Sequence, residues 1–233
     1  MFAMNEAHYL AVENNIPVGI LDTEMKTKKF ITRITALDSG IPVKSIERGD
    51  YSKYPDLVER VEESKHRIKN APLIHEYSTN WTQDLVSQKA KMLKLKYDMQ
   101  LFIYDYIKIK EINAGIKEHQ FLGNWTIFLK DLAGELDIPV LTFAQLSPYE
   151  KRLADSDKIN RYASVVGYLL PKDPQEIARD FGVEEGGSDY LLIDYNRLGE
   201  SHRDETKGVN LMYQRHLASF EQAPYQVLQD EYQ

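Results

Sequence analysis

Two apolar runs in this chain end in residues that could do chemistry. Leu101-Phe102-Ile103-Tyr104 closes on Asp105, and Val140-Leu141-Thr142-Phe143-Ala144 closes on Gln145. Short apolar runs bounded by polar residues read as strands buried on both faces, the kind that build a parallel sheet, where ligands bind beyond the strand carboxyl ends. Asp105 and Gln145 would then stand side by side at that rim. An acid closing a buried strand is suited to holding magnesium for a nucleoside triphosphate, and a polar neighbour can sense the terminal phosphate. A pair of solvated strand ends is the other reading. A third run, Pro17-Val18-Gly19-Ile20-Leu21, leads into Asp22-Thr23-Glu24-Met25 and puts further acids at a strand end.

Composition removes other chemistries. There is no cysteine among the 233 residues, which excludes disulfide scaffolds, thiolate catalysis and cysteine-built zinc clusters. A reducing compartment follows, so the expected location is the cytoplasm, or the host cytoplasm if the source is viral. The histidines His8, His66, His75, His119, His202 and His216 show no metal-ligand spacing. No apolar run is long enough to cross a membrane, and the N-terminus lacks the basic start and apolar centre of a signal peptide. A formal charge of -7 opposes a general basic surface for duplex nucleic acid but leaves local phosphate contacts open. Lys89, Lys91, Lys94 and Lys96 alternate with apolar residues and read as the solvated face of a helix.

The elements that must position the candidate residues follow from periodicity. Phe2 to Asn15 sets Ala3, Ala7, Leu10 and Ala11 on one face, a helix that starts without a capping residue. Helices are also expected over Met25–Leu37, Val43–Arg48, Pro55–Lys69, Trp81–Tyr97 and Glu118–Leu136. Strands are expected over Pro17–Leu21, Leu73–Tyr77, Met99–Asp105 and Val140–Ala144, with loops at 106–117 and 147–157, the second of them mobile. Val165–Leu170 and Tyr190–Tyr195 read as strands around a helix-and-glycine excursion, and Val209–Tyr213 with Leu217–Phe220 as a closing hairpin. The order implies an α/β fold, a mostly parallel sheet flanked by helices with antiparallel strands at its C-terminal edge. With 42% apolar residues, one domain over 1–220 and a polar tail over 221–233 are expected.

Several short motifs then line up in one order. They are Leu21-Asp22-Thr23-Glu24-Met25, Gly40-Ile41-Pro42 with Arg48-Gly49, Leu101 to Tyr106, and Leu129-Lys130-Asp131-Leu132-Ala133. Ile138-Pro139-Val140 through Gln145-Leu146, Ile159 with Ala163-Ser164-Val165-Val166, and Asn196-Arg197-Leu198-Gly199 follow. Together they resemble the ATPase domain of the DnaB-type replicative helicases, a branch of the RecA-like family, from residue 2 to about 220. The resemblance implies ATP-driven translocation on single-stranded DNA and duplex unwinding, with ATP and Mg as cofactors. It also implies identical subunits in a ring, hexameric in the family, with a primase or helicase loader as further candidate partners. By the same resemblance Glu24 matches the glutamate that polarises the attacking water, Arg33 an arginine near the nucleotide, and Asp105 the magnesium-holding aspartate. Gln145 matches the glutamine that couples nucleotide state to DNA-contacting loops, and Arg197 the arginine finger offered to the adjacent subunit.

Three departures stand against that pattern. Tyr195 occupies a position where the family usually has a lysine, and Ala154, between Leu153 and Asp155, stands where it has a DNA-contacting arginine. Lys108, Lys110, Lys117, Lys151, Arg152, Lys158 and Arg161 are the cations available instead. No G-x-x-x-x-G-K-[ST] phosphate loop occurs in the chain. The expectation is a helicase truncated at its N-terminus and inactive in this form. A non-hydrolysing binding or assembly module of the same fold is the alternative. A recombinase or clock-type ATPase does not account for the Glu24-Met25 and Asn196-Arg197-Leu198-Gly199 signatures together.

Overall fold

In the computed structural model of the chain, β1 (Val18–Asp22) is buried at every residue, because it runs between two parallel neighbours, β2 (Leu73–Tyr77) and β3 (Leu101–Asp105). The short β4 (Val140–Thr142) pairs in parallel with β3 and completes the order β2-β1-β3-β4. The structure describes residues 1–108, 118–145, 157–201 and 208–226. The chain divides into two compact units, Met1–Gln145 with Arg215–Ser219, and Leu146–Gln214 with Phe220–Gln233.

In the first unit the crossovers between parallel strands are helical, as such connections usually are. α1 (Phe2–His8) precedes β1, and α2 (Thr27–Ser39), α3 (Val43–Arg48) and α4 (Pro55–Asn70) lie between β1 and β2. α5 (Gln83–Tyr97) leads to β3, and α6 (Glu118–Leu136) to β4. Local chemistry sets the ends. Gly40 and Gly49 adopt left-handed conformations that stop α2 and α3, Pro55 opens α4, and the Thr82 hydroxyl accepts the Leu85 N–H to cap α5. The uncapped start read for the first helix is present, since Met1 supplies no side-chain cap bond. That helix loosens into a π-helical turn over Tyr9–Glu13. Ala3, Met4, Ala7 and Ala11 still bury one face against Val18, Ile20, Phe30, Ile34 and Ile103.

Gly19 lies in the middle of β1, where an added Cβ would overlap the Met99 sulfur and stand 3.0 Å from Leu93 Cδ1. The missing side chain is what lets α5 close on the sheet. Asp38 of α2 ties three helices, accepting from His8 Nε2 at 2.9 Å and from Arg67 Nη2 at 2.6 Å. Burial alone would raise its carboxyl, but the His8 and Arg67 hydrogen bonds prevail and hold it at about 2.

The second unit is β-rich. α7 (Asp157–Tyr162) precedes β5 (Val165–Pro171), and α8 (Pro174–Arg179) and α9 (Val183–Gly186) form the excursion before β6 (Asp189–Asn196). β7 (Val209–Gln214) and β8 (Ser219–Gln222) follow, and the four strands form a sheet of their own, in the order β5-β6-β7-β8. Its core is Val166, Tyr168, Leu170, Tyr190 and Leu192. The excursion is pinned from inside. Lys172 and Asp180, each with side chains 1% exposed, pair at 2.7 Å, and the same ammonium donates to the Gly186 carbonyl. Burial opposes ionisation of Asp180, yet hydrogen bonds from Arg179 and Lys172 lower its carboxyl below the ordinary value. Ordered structure runs past Phe220, where the sequence suggests a tail, because Gln226 bonds both the N–H and the carbonyl of Asn210. Residues 147–156 of the mobile loop expected at 147–157, and most of the loop at 106–117, lie outside the described residues, with Lys110, Lys117, Lys151, Arg152 and Ala154.

Two outcomes follow for stability. Gly19→Ala should cost about 1–3 kcal/mol in urea unfolding, the usual effect of overpacking a filled core. Because Asp38 is held below its unfolded value, its contribution is complete above about pH 4 and is lost as pH falls through about 2. The urea midpoint should therefore fall across that window, and less steeply in Asp38→Asn. An equally steep fall in the variant would exclude this role.

Candidate functional site

The rim at the carboxyl ends of the parallel strands is built by peptide register before any side chain acts. Asp22 at the end of β1 pairs directly with Asp105 at the end of β3, so two carboxylates leave adjacent strands at the same level. The backbone continues the pairing, with Thr23 N–H donating to the Asp105 carbonyl at 2.8 Å. The Thr23 hydroxyl then donates to the Tyr106 carbonyl at 3.2 Å and accepts the Tyr106 N–H at 3.3 Å. The Asp105–Tyr106 peptide is cis. Below it Tyr104 is buried and stacks on Trp125 of α6, with ring centroids 4.9 Å apart.

The two acids are treated differently. Asp22, with a side chain 3% exposed, has its acceptors occupied. Its Oδ1 takes the N–H groups of Glu24 at 2.7 Å and Met25 at 2.6 Å, and its Oδ2 faces His75 Nε2 at 3.3 Å. Asp105 is half-buried, and among the described residues no side chain hydrogen-bonds its carboxylate. Burial pushes its pKa up, Asp22 and Glu24 push the same way, and the Met1 α-amino group and His75 oppose them. An acid strained toward its neutral form beside two other carboxylates is compensated well by a cation. A carboxylate among waters suits magnesium, which gives up its water shell reluctantly. Among the described residues no group of three His, Cys, Asp or Glu is arranged to hold a metal by side chains alone.

Glu24 is exposed, in the turn between β1 and α2 that Asp22 closes. Arg33, half-buried on α2, directs Nη1 to the Met1 sulfur at 3.0 Å, which brings it to the start of α1. Gln145 is exposed on the continuation of β4, whose pairing with β3 ends at Tyr104 and Thr142. The strand expected over Val140–Ala144 stops early, and Ile107 N–H reaches the Phe143 carbonyl at 2.9 Å. Glu24 and Asp105 thus stand at the first unit's rim, Gln145 follows the adjoining strand, and Arg33 lies on α2 against Met1. Arg197 belongs to the second unit, in the turn after β6. Its N–H donates to the Ser164 carbonyl at 2.8 Å, its Nε to the Tyr195 hydroxyl at 3.3 Å, and its Nη2 to the Arg161 carbonyl.

Sequence reasoning passed over His75, which stacks on Phe30 with centroids 4.1 Å apart and turns Nδ1 to the Thr27 hydroxyl at 3.2 Å. Thr27, Phe30, Ile68, Leu73 and His75 also line a cavity of about 450 Å³ between α2, α4 and β2.

The chain matches the family model of the DnaB-like helicase C terminal domain over residues 1–222. It is 26% identical over 181 residues to a probable plasmid replicative DNA helicase of Chlamydia trachomatis serovar L2, covering 73% of this chain and 40% of that protein. It is 25% identical over 224 residues to the replicative DNA helicase DnaB of Mycobacterium intracellulare, covering 90% of this chain and 36% of that protein. The chain therefore spans about two fifths of the length of these curated relatives. Among solved structures, a DnaB-like replicative helicase studied with its primase interactions aligns at a TM-score of 0.77 with 19% identity, over 94% of this chain and 53% of that one. The ATPase domain of G40P aligns at 0.77 and 19%, over 94% of this chain and 78% of that one.

A carboxyl raised by the fold destabilises the native state once pH exceeds its unfolded value, because ionisation is then easier in the unfolded chain. Asp105→Asn should therefore raise the urea midpoint at pH 7, with the advantage fading below about pH 4. A variant less stable than the parent at pH 7 would contradict the assignment of strain to Asp105.

Proposed function

Since the chain belongs to the DnaB-like helicase C-terminal domain family, we propose that it is the ATPase portion of a replicative DNA helicase, built to couple ATP hydrolysis to translocation on single-stranded DNA and duplex unwinding. The observation that supports this best is the pairing of Asp22 with Asp105, with Thr23 bridged to Tyr106. That ladder sets Glu24 and Asp105 on the continuations of neighbouring strands. In this reading Asp105 would hold Mg through water, and the exposed Glu24 accepts a hydrogen bond from the attacking water, which polarises it. Bound magnesium would neutralise charge on the phosphates of ATP. Arg33 lies beside the nucleotide, and Gln145 relays its state along β4 to the following segment. Arg197 is offered to the nucleotide of the next identical subunit in a hexameric ring, its planar guanidinium matched to phosphate oxygens. Tyr195 and the Arg161 carbonyl orient that guanidinium. A primase is a fitting partner, since a structural neighbour is a DnaB-like helicase studied with primase. A helicase loader is a second candidate. Among the described residues no helix is long and apolar enough to cross a membrane, and the proposed place of action is the cytoplasm.

The chain has no G-x-x-x-x-G-K-[ST] segment to cradle phosphates, so by itself it is proposed to bind ATP weakly and to turn it over hardly at all. The second reading, a non-hydrolysing assembly module, draws on the same sequence fact and on Tyr195, where a second cation would be expected at the junction.

One experiment separates the two. The purified chain should show negligible Mg·ATP turnover, and the same chain joined before Met1 to a relative's phosphate-loop segment should gain both binding and turnover. In that joined protein Glu24→Gln should keep ATP binding and lower turnover by about 10²-fold or more, within the usual effect of removing a general base. Arg197→Ala should lower turnover by about 10³-fold, and mixing it with Glu24→Gln subunits should restore part of the activity, because each supplies what its neighbour lacks. Binding without turnover in every joined protein would favour the assembly module.

A further inference from the structure

The turn that carries Glu24 runs from Thr23 to Lys26, and both its ends touch one imidazole. His75 Nε2 faces Asp22 Oδ2 at 3.3 Å just before the turn, and Nδ1 faces the Thr27 hydroxyl at 3.2 Å just after it. The side chains of His75 and Asp22 are each only 3% exposed. Burying a histidine and an aspartate at a strand end is costly unless their polar atoms are matched, and here they are matched to each other and to the turn. Asp22 is a carboxylate with acceptors only, so the proton between the pair sits on Nε2, and in the neutral ring Nδ1 accepts from the Thr27 hydroxyl. The Phe30 ring, nearly parallel at 17°, fixes the plane of the imidazole. With Oδ2 held, Oδ1 is aimed at the Glu24 and Met25 N–H groups. The Asp22 carbonyl is held as well, by Ser78 N–H at 3.0 Å and Trp81 Nε1 at 3.2 Å.

We propose that Asp22 and His75 are positioning residues for Glu24, a buried staple across both ends of its turn that fixes where the Glu24 carboxylate leaves that turn, beside the strand end that carries Asp105. The inference rests on the reading of Glu24 as the group that polarises water. It adds two residues, one of them on an outer strand of the sheet, to the set on which that chemistry depends. His75 acts only through Asp22 and Thr27 and touches no reacting atom.

The test uses the chain as it stands and follows amide-proton exchange by NMR. In Asp22→Ala the Glu24 and Met25 amides should exchange at least about tenfold faster while the Ile20 and Ile103 amides keep their rates, the mark of a local opening. Asp22→Asn retains an oxygen acceptor and should restore protection to within about threefold. His75→Phe keeps the ring stack on Phe30 and loses both nitrogen contacts, so it should loosen the same two amides by an intermediate factor, and it decides the matter if Asp22→Ala does not fold. Equal acceleration throughout β1, or none at Glu24 and Met25, would overturn the staple. A joined phosphate-loop protein in which Glu24→Gln keeps full turnover would instead remove the catalytic reading and leave the staple standing.

Discussion

The rim depends on one constraint, the parallel register that sets Asp22 level with Asp105. Like charges leaving neighbouring strands at one level repel, and no rotamer choice can separate their backbones. The structure resolves the conflict by asymmetry. Asp22 is saturated by two amides and an imidazole, whereas among the described residues no side chain hydrogen-bonds the Asp105 carboxylate, and its carboxyl is raised. Perturbed carboxyls of this kind gather at working sites, because a group content with its surroundings has nothing to offer a ligand. The surrounding folding serves this arrangement. The Ala-rich face of α1 and the bare Gly19 let helices close on β1, and burial on both faces is what makes the strand-end charges costly.

Much of this was legible in the order of residues. Val43–Arg48, Leu73–Tyr77 and Glu118–Leu136 form the elements that periodicity and breakers announce, since Gly49, Pro72 and Pro139 punctuate them. The α/β class with a parallel sheet, then antiparallel strands, is also visible in that order. The early end of β4 was not, because Phe143 and Ala144 are as apolar as the strand they follow. Nor was the π-helical turn after His8, since π and α turns share the same apolar spacing over so short a stretch. His75 was hidden for a different reason. It pairs in register with Ile20, and it meets Asp22 only diagonally, one pleat further along the shared face. No spacing within one segment encodes that. It needs the relative register of two strands separated by α2, α3 and α4.

The second unit shows the same economy. Its excursion between β5 and β6 is short and glycine-rich, with little apolar material of its own to bury. The wholly buried Lys172–Asp180 pair takes the place of a core there, tying the strand to the Gly186 carbonyl. Such a pair is worth little against a hydrophobic equivalent, yet removing one partner leaves a charge stranded in the interior. Arg197 draws on this unit for its orientation, and its hydrogen-bond acceptors among the described residues are carbonyls and a tyrosine hydroxyl.

The Thr23 bridge to Tyr106 has a last consequence. Because one hydroxyl accepts the Tyr106 N–H and donates to the Tyr106 carbonyl, groups of two successive peptides, the two strand continuations are fastened together just beyond the main-chain bond from Thr23 N–H to the Asp105 carbonyl. The spacing between the roots of Glu24 and Asp105 is in effect a length standard, calibrated by the pitch of a peptide ladder and locked by the Thr23 hydroxyl. Whatever enters the rim is measured against that same interval.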